Sequence, residues 1–392
     1  MYKRQNRIHK GLGIIRRDKN SFSSAVFSLS GEFPVHVPPI KRGKGPFLYD
    51  YDENRYVDFE LSKGSLLLGH AYTPIYSTMK SYISRGYAGG LPVGAQDMLA
   101  GRISDLAGCT KDGRWLFFLS EYEAAAALRY ILRRYCRREK GIMLGGDGTE
   151  GDRFYPFWDI ESMMPGPGRD EGLREDDWDF VVLREGRRPD RERMLKAVNR
   201  VRKEGGVVVS DEIDLARHVR MRTGAGAYRE ADVRVFGRYL SSGAPFGCIF
   251  FSKKVESRLR GKPCYNTFTD IASFSYSVPL YALKSATSSL SLLEKEGGME
   301  ALLSRQQLFF RLLDDRFFEQ DAGLVYLKAG MIKRRYSGLR LDLLKRGVYL
   351  PLSVHDPLVV SFAHTDELLK KCAGVMSSSV QDHVSGINEG QR

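Results

Sequence analysis

The middle of the chain alternates short apolar runs with polar turns. Residues 207–209 are three valines that follow Gly205 and Gly206, a pattern typical of a buried parallel strand. Asp211 and Glu212 come soon after this run, so we expect them at the carboxyl end of a central strand. Open α/β sheets bind their ligands at that edge.

Two more short strands are predicted in the same stretch. Val233–Phe236 is followed by Gly237 and Arg238, and a Ser-Ser-Gly-Ala-Pro turn then leads to a strand at residues 248–251. Two strand ends and a glycine-containing turn should therefore converge near the acidic pair. The residues with candidate chemical roles are therefore expected at this edge of the sheet.

The flanking pattern predicts an α/β protein. The predicted elements before the central strand are, in chain order, helix 100–106, strand 115–119, helix 124–134, strand 180–183 and helix 191–203. Because strand and helix alternate, we expect a mostly parallel sheet with helices on both faces. Residues 145–175 are rich in glycine, proline and acids, which predicts a loop region.

Composition limits the class of protein. The chain has 392 residues, of which 42% are apolar, so it can bury a large core, and we expect two lobes. No apolar run approaches the roughly 20 residues that span a bilayer, and the N-terminus lacks the hydrophobic core of a signal peptide. The five cysteines form no CxxC pair, which argues against a disulfide framework or a zinc site. We expect a cytoplasmic protein without a membrane partner.

The formal net charge of +13 raises the question of an acidic partner. The densest basic cluster comprises Arg129, Arg133, Arg134, Arg137, Arg138 and Lys140. Its helical spacing is more typical of a solvated helix face, and no aromatic residues are interleaved with it. We predict that nucleic acid is not a partner.

Two motifs near the chain ends resemble a known family. One is a predicted hairpin at residues 49–58 followed by a Gly-to-His turn at 64–70, in which we interpret His70 as structural. The other is Gly-Val-Tyr at residues 347–349 followed by Ala-His-Thr-Asp at 363–366. With the central acid, they resemble the class III aminotransferases, which are fold type I enzymes using pyridoxal phosphate, and among these glutamate-1-semialdehyde 2,1-aminomutase.

The resemblance extends over residues 20–375 and implies an organisation. It implies a fold type I pyridoxal-phosphate transferase with a mostly parallel large domain and a small α+β domain built from both chain ends. The implied segments are an arm and hairpin at 1–65, the large domain at 66–288, the small domain at 289–375 and a polar, disordered tail at 376–392. The family also implies a homodimer.

The resemblance assigns roles to two residues of the central stretch. Asp211 matches the acid that binds the pyridine nitrogen of the cofactor, whereas Arg238 lies at the position of the Schiff-base lysine. Lysine can lose its proton and attack the cofactor aldehyde, but arginine keeps its charge. We expect Arg238 to form a salt bridge with Asp211; the alternatives are an anionic ligand on Arg238 and a helix-capping role for Asp211.

The implied phosphate-binding segment has also changed. The Ser-Gly-Thr-Glu-Ala of the family corresponds to Ser120, Glu121, Tyr122, Glu123 and Ala124. Glu121 replaces glycine with a bulkier, charged residue, and its repulsion of a phosphate oxygen about 4 Å away is on the order of 1–4 kcal/mol. We expect weakened binding of pyridoxal 5'-phosphate.

Further implied positions differ as well. Ser275, or alternatively Ser273, takes the place of a threonine that the second subunit contributes in the family. The usual stacking aromatic is missing, with Phe154 or Tyr155 as candidate replacements, and Phe27 replaces an arginine suited to a substrate carboxylate.

The framework motifs thus persist while several chemical groups have changed. We predict a catalytically degenerate relative, a pseudoenzyme, of glutamate-1-semialdehyde aminomutase. One alternative is an active aminotransferase or aminomutase that binds pyridoxal or pyridoxamine phosphate in a non-standard way and acts on a small amino compound. The other is a non-enzymatic binding protein with a basic surface.

Overall fold

The computed structural model describes residues 38–86, 94–135, 141–145, 179–184, 191–223, 231–259, 278–332 and 335–389. They belong to two compact units. The first unit combines the described parts of Met1–Tyr72 and Glu296–Arg392, and the second is drawn from Thr73–Lys295. The predicted boundaries after residues 65 and 288 lie a few residues before these divisions.

The described strands, in chain order, are β1 Ile40–Lys44, β2 Phe47–Asp50, β3 Arg55–Asp58, β4 Arg114–Phe118, β5 Gly141–Gly145, β6 Phe180–Arg184, β7 Val207–Glu212, β8 Val233–Phe236, β9 Gly247–Phe251, β10 Phe318–Asp321, β11 Leu324–Leu327 and β12 Val348–Tyr349. The described helices are α1 Thr73–Ile83, α2 Ala95–Ala107, α3 Glu121–Tyr135, α4 Arg191–Lys203, α5 Leu215–Thr223, α6 Lys253–Leu259, α7 Leu280–Lys295, α8 Gly298–Leu312, α9 Ala329–Ile332, α10 Tyr336–Lys345 and α11 Asp366–Glu389. A 3₁₀ helix at Arg238–Ser241 follows β8, and a turn of left-handed backbone lies at Leu61–Gly64.

A mixed sheet forms the centre of the second unit. Its described strands lie in the order β4-β9-β8-β7-β6-β5. Strands β5 to β8 run parallel to one another, whereas β9 is antiparallel to both β8 and β4. The predicted α/β architecture with a mostly parallel sheet is confirmed.

The central strand β7 shows why helices are needed on both faces of this sheet. Successive side chains of a strand point to opposite faces. Val207 and Val209 pack in one apolar cluster with Leu128 of α3, and Val208 packs in another with Val198 of α4. A strand of this kind is stable only when both faces are covered.

Strand β7 extends beyond the valine run to include both acids. Asp211 pairs with Val235, and Glu212 pairs with Phe236, in the parallel ladder with β8. The two acids thus stand at the carboxyl end of a central strand, as the sequence predicts. Backbone pairing with β8 continues past the valines because the ladder uses main-chain groups and does not require apolar side chains.

The first unit contains the predicted hairpin. Strands β2 and β3 pair antiparallel, and β12 adds parallel to β3. The carboxylate of Asp50 closes the turn by accepting hydrogen bonds from the backbone N–H of Asp52 at 2.9 Å, the N–H of Asn54 at 2.8 Å and the hydroxyl of Tyr56 at 2.7 Å. Turn acids of this kind fix the chain reversal locally.

His70 has contacts that agree with its structural interpretation. Its Nε2 lies 2.7 Å from Oδ2 of Asp58, and its carbonyl accepts a hydrogen bond of 2.8 Å from the N–H of Gly45. The ring and the backbone of His70 therefore both connect the segment after the hairpin to the first unit's sheet.

The prediction of a disordered tail from residue 376 is wrong for residues 376–389, which belong to α11. Cys372, Met376 and Val380 are buried at four-residue spacing. They pack in the apolar core of the first unit together with Leu343 and Val354. A narrow apolar stripe is sufficient to dock a helix, although the segment as a whole is polar.

The described residues contain neither a membrane-spanning helix nor a cluster of metal ligands. None of the described helices has the length and apolar character needed to cross a membrane. In the same part of the chain, no group of three or more His, Cys, Asp or Glu side chains is arranged to hold a metal ion. The described cysteines Cys109, Cys248 and Cys372 are free thiols.

We predict that Met376→Ala destabilises the protein by about 2–5 kcal/mol, because it removes a buried side chain and leaves a cavity. Urea unfolding followed by circular dichroism measures the change. Lys370→Ala, at an exposed position of the same helix, is the control and should change stability by no more than about 0.5 kcal/mol. Equal effects of the two substitutions would contradict the docking of α11.

Candidate functional site

Asp211 is fully buried at the carboxyl end of β7. Its two carboxylate oxygens accept hydrogen bonds from Nη1 of Arg217 at 3.2 and 3.0 Å, and Oδ1 also accepts one from the N–H of Ile213 at 3.2 Å. Nε of Arg184, the last residue of β6, lies 3.8 Å from Oδ2. The carboxylate is therefore neutralised by cations of the protein itself.

The start of α5 brings Arg217 to this position. Asp214 precedes the helix and accepts a hydrogen bond of 2.9 Å from the N–H of Arg217, as a residue at a helix N-terminus often does. Nε of Arg217 also lies 3.1 Å from Oδ2 of Asp214, so one guanidinium joins both acids. Burial opposes ionisation of Asp214, but Arg217 and the neighbouring Arg184 and Arg220 outweigh it and lower its pKa.

Arg238 does not pair with Asp211, so that prediction is wrong. Its Nε lies 3.4 Å from Oε1 of Glu121, the first residue of α3, and 37% of its side chain is exposed. Asp211 instead pairs with Arg217, which is closer to it along the chain and lies in the helix that follows β7. Glu121 and Arg238, which stand where the resemblance implies a glycine and a lysine, thus contact each other.

The predicted phosphate-binding segment forms a capped helix start. The hydroxyl of Ser120 accepts a hydrogen bond of 3.1 Å from the N–H of Glu123, and the carboxylate of Glu123 accepts one of 2.9 Å from the N–H of Leu119. This reciprocal arrangement is similar to a capping box, except that Glu123 reaches the N–H of Leu119, the residue before Ser120; the hydroxyl of Ser120 binds an amide that would otherwise be free at the helix N-terminus. Tyr122 lies in the same turn and is 38% exposed.

Two glycines let the neighbouring segments approach this helix start closely. A Cβ atom on Gly237 would lie 2.2 Å from the carbonyl oxygen of Ile213 and 3.3 Å from Cβ of Glu121. A Cβ atom on Gly247 would lie 2.4 Å from the carbonyl oxygen of Ser120. The backbone before Arg238 and the start of β9 are therefore packed directly against the segment that carries Glu121.

Glu212 lies next to Asp211 in β7 but belongs to a separate buried network. Nε and Nη2 of Arg234 in β8 donate to its two oxygens at 2.6 and 2.8 Å. Nδ1 of His218 in α5 lies 2.8 Å from Oε2, and the hydroxyl of Ser210 donates to Oε1 at 2.7 Å. The alternation of side chains along β7 explains why adjacent acids have different partners.

The electrostatics of this network follow from its burial. Burial alone would raise the pKa of Glu212, but Arg234 and His218 reverse the effect and lower it to about 2. Burial lowers the pKa of His218 despite the opposing influence of Glu212. Burial also raises the pKa of the Cys109 thiol to about 11, although Arg234 counteracts it. The network therefore holds one ionised acid and one arginine.

Sequence reasoning missed Arg234 and His218 as partners of Glu212. One signal was available: Arg234 is a charged residue inside the apolar strand Val233–Phe236, and a buried charge requires a partner. The register of β7 and β8 was needed to identify that partner as the acid of the neighbouring strand.

Some predicted positions lie outside the described residues. These are Ser273, Ser275, Phe154, Tyr155, Phe27 and, from the basic cluster, Arg137, Arg138 and Lys140. Of the other predicted site residues, the structure brings Ser120, Glu121, Tyr122 and Arg238 together at the start of α3. Asp211 belongs to the neighbouring ion-pair group with Arg217.

The fold defines a class of protein. The chain has the fold of solved aminotransferases of fold type I, one of which is a transaminase with PLP bound. No family model matches the chain.

Within that class, the sequence resembles glutamate-1-semialdehyde 2,1-aminomutases. It is 25% identical to the enzyme of that name from Archaeoglobus fulgidus over an alignment of 419 positions, which covers 92% of this chain and 97% of the relative. It is 23% identical to the enzyme from Aeropyrum pernix over an alignment of 428 positions, which covers 94% of this chain and 97% of the relative. The likeness therefore spans nearly the whole length of both chains.

Solved structures show the same fold. Adenosylmethionine-8-amino-7-oxononanoate aminotransferase from Methanocaldococcus jannaschii matches with a TM-score of 0.70 and 17% identity, covering 96% of this chain and all of the other. A glutamate-1-semialdehyde aminomutase from Pseudomonas aeruginosa, in complex with PMP, matches with a TM-score of 0.70 and 15% identity, covering 95% of this chain and 94% of the other.

The described residues do not fit pyridoxal phosphate. Such a site would need an available carboxylate for the ring nitrogen, an uncharged phosphate-binding segment and an amine. In this chain Asp211 is bound by Arg217, the carboxylate of Glu121 lies at the start of α3, and residue 238 is an arginine. The carboxylate is thus already paired, the helix start carries a negative charge, and position 238 has no amine.

We predict that Arg234→Leu lowers the free energy of unfolding by about 3–5 kcal/mol, because it leaves Glu212 buried without its cation. Chemical denaturation measures the loss. Arg234→Lys keeps the charge and should cost less. Arg311→Leu, at an exposed position of α8, controls for removal of an arginine. A loss below about 1 kcal/mol for Arg234→Leu would show that the pair does not stabilise the sheet.

Proposed function

We propose that this chain is a catalytically degenerate relative of the class III aminotransferases, similar to glutamate-1-semialdehyde aminomutase but without transaminase or aminomutase activity. The observation that carries the proposal is the contact between Arg238 and Glu121. It occupies the place where the resemblance implies a Schiff-base lysine and a phosphate-binding glycine.

The chemistry of Arg238 supports the loss of catalysis. A lysine amine must lose its proton and use its lone pair to form a Schiff base. The guanidinium of arginine stays protonated, and its nitrogen lone pairs are delocalised. Arg238 therefore cannot take over the role of the lysine.

Among the described residues, the lysines that follow β9 do not provide a replacement; Lys262 lies outside these residues. Lys253 and Lys254 lie at the start of α6, after β9. Their ammonium groups pair with Asp112 at 3.9 Å and Asp232 at 3.2 Å. Both ammonium groups therefore pair with carboxylates other than those of Asp211 and Glu121.

The proposal includes a cytoplasmic homodimer. The homodimer rests on the resemblance to the class III aminotransferases. The free thiols of Cys109, Cys248 and Cys372 support a reducing compartment, because disulfides form and persist in oxidising compartments.

The test is titration of the purified protein with pyridoxal phosphate, followed by absorbance, borohydride reduction and peptide mass spectrometry. We expect no saturable aldehyde or Schiff-base band, no single reduced adduct, and no turnover of an amino donor. Arg238→Lys alone should still give no stoichiometric adduct at residue 238, because Glu121 remains.

Arg311→Lys, which adds a lysine at an exposed position, measures non-specific labelling. A saturable band in the unmodified protein, with transfer of the amino group, would refute the proposal. A band without turnover would leave the loss of catalysis intact and would bear only on ligand binding.

A further inference from the structure

Two ion pairs of the second unit occupy positions that the resemblance assigns to the charged ends of a cofactor. Resting on the function proposed above, we infer that the protein replaces those charges with its own side chains. Arg217 supplies the cation for Asp211, and Glu121 supplies the anion at the start of α3. The site is thus electrostatically complete as an unliganded protein and excludes phosphorylated pyridines.

The cationic replacement is the contact of Arg217 with Asp211. An ionised carboxylate that is fully buried needs a cation and hydrogen-bond donors. Arg217 provides both, at 3.0 and 3.2 Å, and is itself buried. A protonated ring nitrogen would have to displace this guanidinium, which would also leave Asp214 without its contact at 3.1 Å.

The anionic replacement is Glu121. Its carboxylate is buried in the first turn of α3, where the partial positive charge of a helix N-terminus favours an anion. Arg238 provides a further cation at 3.4 Å. A phosphate at this place would meet a like charge.

Packing keeps the anionic replacement in position. The two hydrogen bonds of Glu123 hold Leu119 and Ser120, and the close approaches at Gly237 and Gly247 leave no room for a Cβ atom on either glycine. The segment that carries Glu121 is therefore held on both sides by backbone. Exclusion of a phosphate is a consequence of the folded structure and does not require a separate lid.

The two replacements can be removed one at a time, and each removal has a different expected effect on ligand binding. Glu121→Gly should open a position for an anion, and inorganic phosphate should raise its melting temperature relative to chloride at equal ionic strength. Arg217→Leu should expose the charge of Asp211, and pyridoxamine, which lacks the phosphate that Glu121 repels, should raise its melting temperature. The unmodified protein should respond to neither compound.

Pyridoxamine phosphate is the informative probe because its binding needs no Schiff-base lysine. We expect the double variant Glu121→Gly/Arg217→Leu to bind it at least about ten-fold more tightly than either single variant, as measured by isothermal titration calorimetry. At about 100 times the dissociation constant, the ligand should raise the melting temperature by about 3 °C or more.

Two matched controls are available in the first unit. Glu300→Gly removes a first-turn glutamate from α8, and Arg311→Leu removes an exposed arginine from the same helix. Neither variant should acquire a response to phosphate or to pyridoxamine phosphate. A response equal to that of the site variants would assign the effect to net charge and would overturn the inference.

Saturable binding of pyridoxamine phosphate by the unmodified protein would also overturn the inference, while leaving the proposed loss of catalysis standing if no amino transfer occurs. If Arg217→Leu fails to fold, the phosphate response of Glu121→Gly decides alone. Absence of that response in a folded Glu121→Gly protein would show that Glu121 does not substitute for a phosphate.

Discussion

A fully buried carboxylate at the end of the central strand constrains the rest of the second unit. Asp211 cannot remain charged in an apolar sheet without a cation, and Arg217 supplies it from the next helix. That requirement fixes the start of α5, because the same guanidinium also contacts Asp214. The end of β6 contributes Arg184 on the same side. One buried charge thus links two strands and a helix at the edge of the sheet where α/β proteins bind ligands.

The adjacent acid of the same strand imposes a second constraint. Because strand side chains alternate, Glu212 needs a partner different from that of its neighbour, and it receives Arg234 from β8 and His218 from α5. Helix α5 therefore contributes one residue to each network. The sheet is otherwise apolar at its centre, so these two networks set which helix and which strand must lie next to β7.

The two positions at which the resemblance implies a glycine and a lysine are connected in space. In the sequence, Glu121 and Arg238 are separate features. The structure places Glu121 and Arg238 in contact, so each charge is balanced by the other. The contact therefore leaves neither charge without a counter-charge at the start of α3.

Local signals were enough to predict three features: the valine strand of β7, the hairpin around Asp50, and the α/β alternation. Glycine-bounded apolar runs and turn acids act over a few residues, so they can be recognised in one dimension. The tertiary structure decided the partners. Arg238 pairs with Glu121 rather than Asp211 because α3 and the 3₁₀ helix after β8 are adjacent in space while distant in the chain. The docking of α11 has the same explanation. Its few apolar residues can be recognised as a packing face only from the core that they contact.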